Sequence, residues 1–204
     1  MRSFGAMPIR RGSISCSRFL IEGDVPKDVK KWLTPALKKS AFEEIDPKGD
    51  EERAAGFVEL EDENATTFGT GLFEGEHALF AWRVDKIRIP GGTVRAELAE
   101  FAKKYEAKNG RAPSRGQKTE QKELIRRGLR SKTPAVTKTH DVSLDLRAKQ
   151  VLVWASSTGI VEEVQNALEL GLETKLVPRT PQQMLGPDAL ERLSPTPELF
   201  GSAS

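Results

Sequence analysis

The break at Pro90-Gly91-Gly92 constrains the fold of this chain more than any other feature. Before it, His77 to Ile89 reads as the clearest strand. After it, from Thr93, the period becomes helical: Val94, Leu98, Phe101 and Tyr105 recur at i, i+4, i+7 and i+11 and share one face. Asn109-Gly110 stops that helix, because glycine accepts the left-handed conformation at a helix end. Ala112-Pro113 makes a corner. Ser114 and Gln117 have capping-box spacing, which predicts a second helix from Arg115 to about Arg130. Pro134 to Leu146 then returns to strand character. Two successive helices between two strands form a helical hairpin that protrudes from a sheet.

The remaining segments supply that sheet and its helices. Gly12 to Ile21 reads as a first strand with Phe19 inward. Asp24 is the expected cap of the next helix, in which Val29, Trp32, Leu33, Ala36 and Leu37 recur at helical spacing. Pro35 should kink this helix or restart it with Thr34 as a new cap. Lys48 to Glu52 is a charged turn, Ala55 to Leu60 a short strand, and Glu61 to Glu76 a Gly- and acid-rich connection. Lys149 to Ala155 is a strand joined to its predecessor by a turn at Arg147-Ala148. A helix follows with Ile160, Val161, Val164, Ala167 and Leu168 inward, then a short strand around Leu176. From Thr180 the composition predicts a mobile tail with a helical turn near Ala189 to Leu193. The expected class is α+β: a mainly antiparallel sheet with packed helices and a protruding basic hairpin. The expected division is 1–91 and 134–179 as two parts of one body, 92–133 as the hairpin and 180–204 as the tail.

Charge is distributed unevenly. The whole chain carries only +2, yet Lys103 to Lys138 holds 12 Lys and Arg against 3 Glu. The rest is therefore net acidic, a separation that points to a polyanion site on an acidic body. The hydrophobic share of 37% and charged share of 30% predict a modest core under an extensive solvated surface. A single cysteine, Cys16, excludes an internal disulfide, and the expected compartment is the cytoplasm. No run approaches the ~20 apolar residues of a membrane span. A signal peptide is not expected behind Arg2, Arg10 and Arg11, and Met7 is an alternative start to Met1.

On the second helix Arg115, Lys118, Lys122, Arg126 and Arg130 are spaced 3, 4, 4 and 4. Those steps place them within roughly 120°, as one basic stripe ~22 Å long, comparable with about six phosphates along one DNA strand. Arg127 flanks the stripe, and Lys132 and Lys138 extend it. Glu123 borders it and Glu120 lies off it, so a fully neutralised solvated face is the weaker reading. Arginine forks suit phosphate oxygens. Phe101 and Tyr105 belong to the apolar face of the first helix, so the stripe lacks stacking aromatics. That favours a duplex over a single strand. No base-reading set of short polar side chains is evident, and little sequence preference is expected. An RNA- or ribosome-associated module and a factor docking an acidic protein partner are the alternatives.

No catalytic constellation competes with this. His77 and His140 are the only histidines and Cys16 has no partner for a zinc site, so neither metal nor cofactor is expected. His140 and Asp141 are strand neighbours that point to opposite faces. Gly69, Gly71 and Gly75 do not match a phosphate loop. Glu59, Glu61, Asp62 and Glu63 read as an exposed acidic turn, and Trp32, Trp82 and Trp154 as core. The chain is not expected to be an enzyme.

Several segments resemble the bacterial RdgC family of recombination-associated proteins. Ser40-Ala41-Phe42 and Ala55-Gly56-Phe57-Val58 are similar to its Phe and Gly-Trp-Val landmarks, and Asp85-Lys86-Ile87-Arg88-Ile89-Pro90 to its Glu-Lys-Ile-Leu-Pro. Gly110-Arg111 and Arg115 to Glu123 follow its charged hairpin. Val151 to Ser157, with Glu162-Glu163, occupies the place of its Val-Asp-Ala-Ala-Ser and the following helix. Together they run from about Ser13 to Pro178, in a chain that reads as a short member lacking the C-terminal part of longer ones. The resemblance implies a ring-shaped homodimer that encircles double-stranded DNA without reading sequence and restrains recombinase-driven strand exchange. It adds Lys86, and again Lys132, as basic contacts. Ser131-Lys132-Thr133-Pro134-Ala135-Val136 stands where the family has Pro-Arg-Ala-Phe-Ser-Arg, so the tip aromatic has no counterpart here.

Overall fold

The computed structural model describes residues 15–47 and 49–179. In chain order the elements are β1 (Ser17–Ile21), α1 (Val29–Lys39), β2 (Arg53–Glu59), a 3-10 turn (Thr70–Leu72), β3 (Phe73–Glu74), β4 (His77–Lys86), α2 (Gly91–Asn109), α3 (Arg115–Arg130), β5 (Val136–Asp145), β6 (Gln150–Val153), α4 (Thr158–Leu172) and β7 (Leu176–Pro178). The expected start of the first strand at Gly12, the tail from Thr180 and its helical turn lie outside the described residues.

The strands form one sheet in the order β2-β4-β5-β6-β1-β7, with β3 also beside β4. Every pairing between these strands is antiparallel. Side chains alternate between faces, and one face carries the main core. Phe19, Phe57, Phe80, Trp82, Val142, Leu144, Val151 and Val153 meet Leu33, Ala36 and Leu37 of α1 and Val164, Leu168 and Leu172 of α4. Phe57 sits edge-on to Phe80 and Trp82, with centroids 5.5 and 4.7 Å away. The two helices touch at Gly171, where a Cβ would lie 2.6 Å from the Ala36 carbonyl oxygen. The architecture is α+β, as the alternation of patterns predicts.

Local details depart from the sequence reading in two places. Asp28, not Asp24, caps α1, accepting from the Lys31 N–H at 3.2 Å. Asp24 pairs instead with Lys149 at 2.7 Å, which holds its carboxyl below the usual range through a hydrogen bond and charge attraction. Pro35 neither breaks nor restarts α1, which runs through it from Val29 to Lys39. Pro35 is exposed, and the burial of Leu33, Ala36 and Leu37 keeps the helix on the sheet. The Thr34 hydroxyl donates to the Phe68 carbonyl at 3.5 Å rather than capping.

Gly56 explains one landmark of the resemblance. Segment 40–42 lies against β2: Phe57 N–H donates to Ser40 O at 2.8 Å and Phe42 N–H to Phe57 O at 2.9 Å. A Cβ on Gly56 would stand 2.5 Å from the Phe42 backbone. Only glycine permits this approach. It also seats Phe42 under Arg83, whose guanidinium carbon is 4.2 Å from the ring centroid.

The hairpin is built as its sequence predicts. Gly110 adopts φ 69° and its N–H bonds Glu106 O, ending α2. Both hydrogen bonds of the Ser114–Gln117 capping box are present. Val94 is the one buried residue of α2, and Ile125 and Arg130 those of α3. The seam between them is narrow: Phe101 and Tyr105 rings lie 5.8 Å apart, and Gln117 Nε2 donates to Tyr105 Oη at 2.8 Å. Two helices buried against little but each other stand away from the sheet, α2 extending about 28 Å at ~1.5 Å per residue.

Candidate nucleic-acid interface

The hairpin joins the sheet at both ends, after β4 and before β5, and α3 carries the predicted stripe. Arg115, Lys118 and Lys122 are exposed along one face of that helix. The face does not stay free to its end. Arg126 turns to Glu52 at 2.8 Å and is only partly exposed. Arg127, on the flank, lies 3.6 Å from Asp50 with both side chains largely in solvent.

Arg130 is a correction to the predicted stripe. It is 5% exposed, and its guanidinium donates to the carbonyls of Asp46 at 2.7 Å, Pro47 at 3.1 Å and Glu51 at 2.6 and 3.0 Å. The planar fork that suits phosphate suits a cluster of carbonyls equally well, and the turn preceding β2 presents one. Arg130 therefore braces the base of the hairpin and is no surface contact. The exposed stripe from Arg115 to Lys122 spans seven residue steps, about 10 Å in place of ~22 Å.

Other predicted cations form a second group. Lys132 is exposed just beyond α3, while Lys86 and Lys138 are exposed on β4 and β5. In the register Val84 lies opposite Lys138, and Lys86 opposite Val136. Alternation places Lys86 and Lys138 on one face, that of Trp82 and Val142. The helical layer covers this end of the sheet only in part, through Glu163 of α4. Val136 is 51% exposed there, whereas residues 141–144 of the same strand are buried. Sequence reasoning missed Arg53, the first residue of β2, which lies opposite Lys86 on the same face. Extending the alternation of Ala55 and Phe57 back two residues would have assigned its face, but not its neighbour. Arg53 pairs with Glu163 of α4 at 2.5 Å, and Glu163 also accepts from Trp82 Nε1 at 3.4 Å.

His140, opposite Trp82, is half-buried below this group. Burial and then Lys138 push its imidazole below the ordinary value, against the pull of Glu163. The unfolded chain therefore takes up this proton first as pH falls. The contribution of His140 to stability is complete above about pH 6.5 and is lost as pH drops from there towards the lower native pKa. H140Q should flatten the fall in stability that begins below about pH 6.5 in denaturant titrations. An unchanged slope would contradict this assignment.

The remaining charged clusters are structural. Arg83 is buried, forked onto Asp85 at 2.8 and 2.7 Å, and donates to Glu63 O and Asn64 Oδ1. Burial raises the Asp85 pKa, but hydrogen bonds from Arg83 and Thr137 prevail and hold it low. Glu59 accepts from Thr67 Oγ1 and Gly69 N–H, and Asp62 from Asn64 N–H, so these acidic side chains organise their own turn. Asp141 is buried while His140 is half-exposed, consistent with opposite faces. Trp82 is buried, and Trp32 and Trp154 are partly so, with indole N–H groups on Leu172 O and Ser143 Oγ. Among the described residues no three His, Cys, Asp or Glu side chains converge as a metal site, and no helix is long and apolar enough to cross a membrane.

No curated protein matches the chain. A family model described as "Putative exonuclease, RdgC" matches residues 18–185. That match supports a recombination-related role. It takes in the sheet, both core helices and the hairpin, and the chain belongs to the RdgC family.

Proposed function

We propose that this protein binds the backbone of double-stranded DNA without reading its sequence and thereby restrains recombination, acting as a binding protein and not a nuclease. The observation that carries this reading is the set of exposed cations that, among the described residues, have no ion-pair partner: Arg115, Lys118 and Lys122 on α3, Lys132 beyond it, and Lys86 and Lys138 at the end of the sheet. Arg127 is available through a long, exposed contact that a phosphate can displace. Phe101 and Tyr105 pack on each other in the hairpin seam and are partly buried, away from the stripe, which favours a duplex over stacked unpaired bases. A homodimer would double the cationic surface and oppose a recombinase by covering its substrate.

Affinity for a labelled duplex should fall with salt at a log–log slope of about −4 to −5, for roughly five neutralised phosphates. A slope near zero would sink the proposal. Stronger binding of structured RNA would shift it to an A-form target. Shortening of an end-labelled duplex in the presence of Mg²⁺ would overturn the non-enzymatic part.

A further inference from the structure

We infer that Arg53 is an additional phosphate contact, held by Glu163 until a duplex backbone reaches the sheet-face patch of Arg53, Lys86 and Lys138. This rests on the duplex-binding reading and deepens it by adding a second, gated surface to the hairpin stripe.

The register sets Arg53 opposite Lys86, and Val84 opposite Lys138. All three cations therefore emerge on one face, with Lys86 and Lys138 as diagonal neighbours roughly 7–8 Å apart. Like charges directly opposite across a ladder destabilise it, and here two occupy adjoining strands with a third on the diagonal. One carboxylate among the described residues, Glu163, pairs with this group, and it engages Arg53. Among the described residues neither Lys86 nor Lys138 pairs with a carboxylate. An approaching anion turns this repulsion into attraction.

The Arg53–Glu163 pair is suited to exchange. Its side chains are 39% and 38% exposed, and an ion pair so accessible to water contributes little to stability. A phosphate offers the same fork two oxygens and a full charge. Glu163 keeps Trp82 Nε1 as a partner when Arg53 leaves. Ala55, Val84 and Val136, the other side chains of these rows, carry no competing charge.

The test is anisotropy of a short labelled duplex, titrated across salt with the full chain. R53Q should weaken binding several-fold and make the slope shallower by about 0.9, the loss of one phosphate contact. E163Q should tighten binding about threefold to tenfold by removing the competitor, within the worth of a single contact. The gain should vanish in R53Q/E163Q. An unchanged slope in R53Q, or equal tightening by E163Q with and without Arg53, would overturn the inference. The amide introduced by E163Q retains an acceptor for Trp82, and a thermal melt checks folding. Should E163Q fail to fold, the R53Q slope decides alone. A wild-type chain with no salt-dependent duplex binding would instead remove the underlying reading. Binding that responds to K118E/K122E but not to R53Q would remove only this inference.

Discussion

K118E/K122E is expected to abolish useful duplex affinity while leaving the fold intact. Both side chains are exposed on α3, away from the seam with α2 and from the brace at Arg130. Counterion release makes each phosphate contact worth about tenfold between 1 M and 0.1 M salt, so losing two lowers affinity about a hundredfold. The reversed charges then repel neighbouring phosphates and deepen the loss. The salt slope should become shallower by about 1.8, from two contacts at about 0.9 each. Thermal unfolding should shift little, since exposed surface charges contribute little to stability. A double variant that binds as wild type would place the polyanion elsewhere. One that melts early would mean that these lysines support the hairpin.

Replacing Arg130 should have the opposite profile. R130Q removes a buried fork and leaves the carbonyls of Asp46, Pro47 and Glu51 without their donor. The turn that bears them is partly open to water, which limits the penalty to about 2–3 kcal/mol. For a domain of this size that is a fall in Tm of roughly 5–10 °C. R130K should recover little, because one ammonium cannot span carbonyls arranged for a planar fork. Amide exchange should accelerate first at the C-terminal turn of α3 and in segment 46–52, where the hairpin joins the body. A variant that melts normally yet loses about one unit of salt slope would restore Arg130 to the DNA surface.

Most of the hairpin was legible because its determinants are local. Gly110 takes a positive φ that ends α2, and Ser114 and Gln117 satisfy each other's backbone groups within four residues. Val94, Leu98, Phe101 and Tyr105 needed only the helical period. The same reasoning placed Asp24 wrongly as a cap, because acceptors at 24 and 28 are locally alike and Lys149 claims the former. It also allowed a restart at Thr34, which does not occur, since the burial of Leu33, Ala36 and Leu37 that keeps α1 continuous comes from the sheet.

The candidate site shows the same division. Spacing alone determined that Arg115, Lys118, Lys122, Arg126 and Arg130 share a helical face, because 3.6 residues per turn is a property of the backbone. Only the tertiary structure decided which of them meet solvent. A turn 79 to 84 residues earlier in the chain folds onto the end of α3 and takes Arg130 inward, and Glu52 engages Arg126. Only strand register brings Arg53 opposite Lys86 and sets Lys138 on the diagonal. Residue type and period determine what a side chain can bind and which way it points. What lies opposite it depends on long-range pairing, which no local window contains.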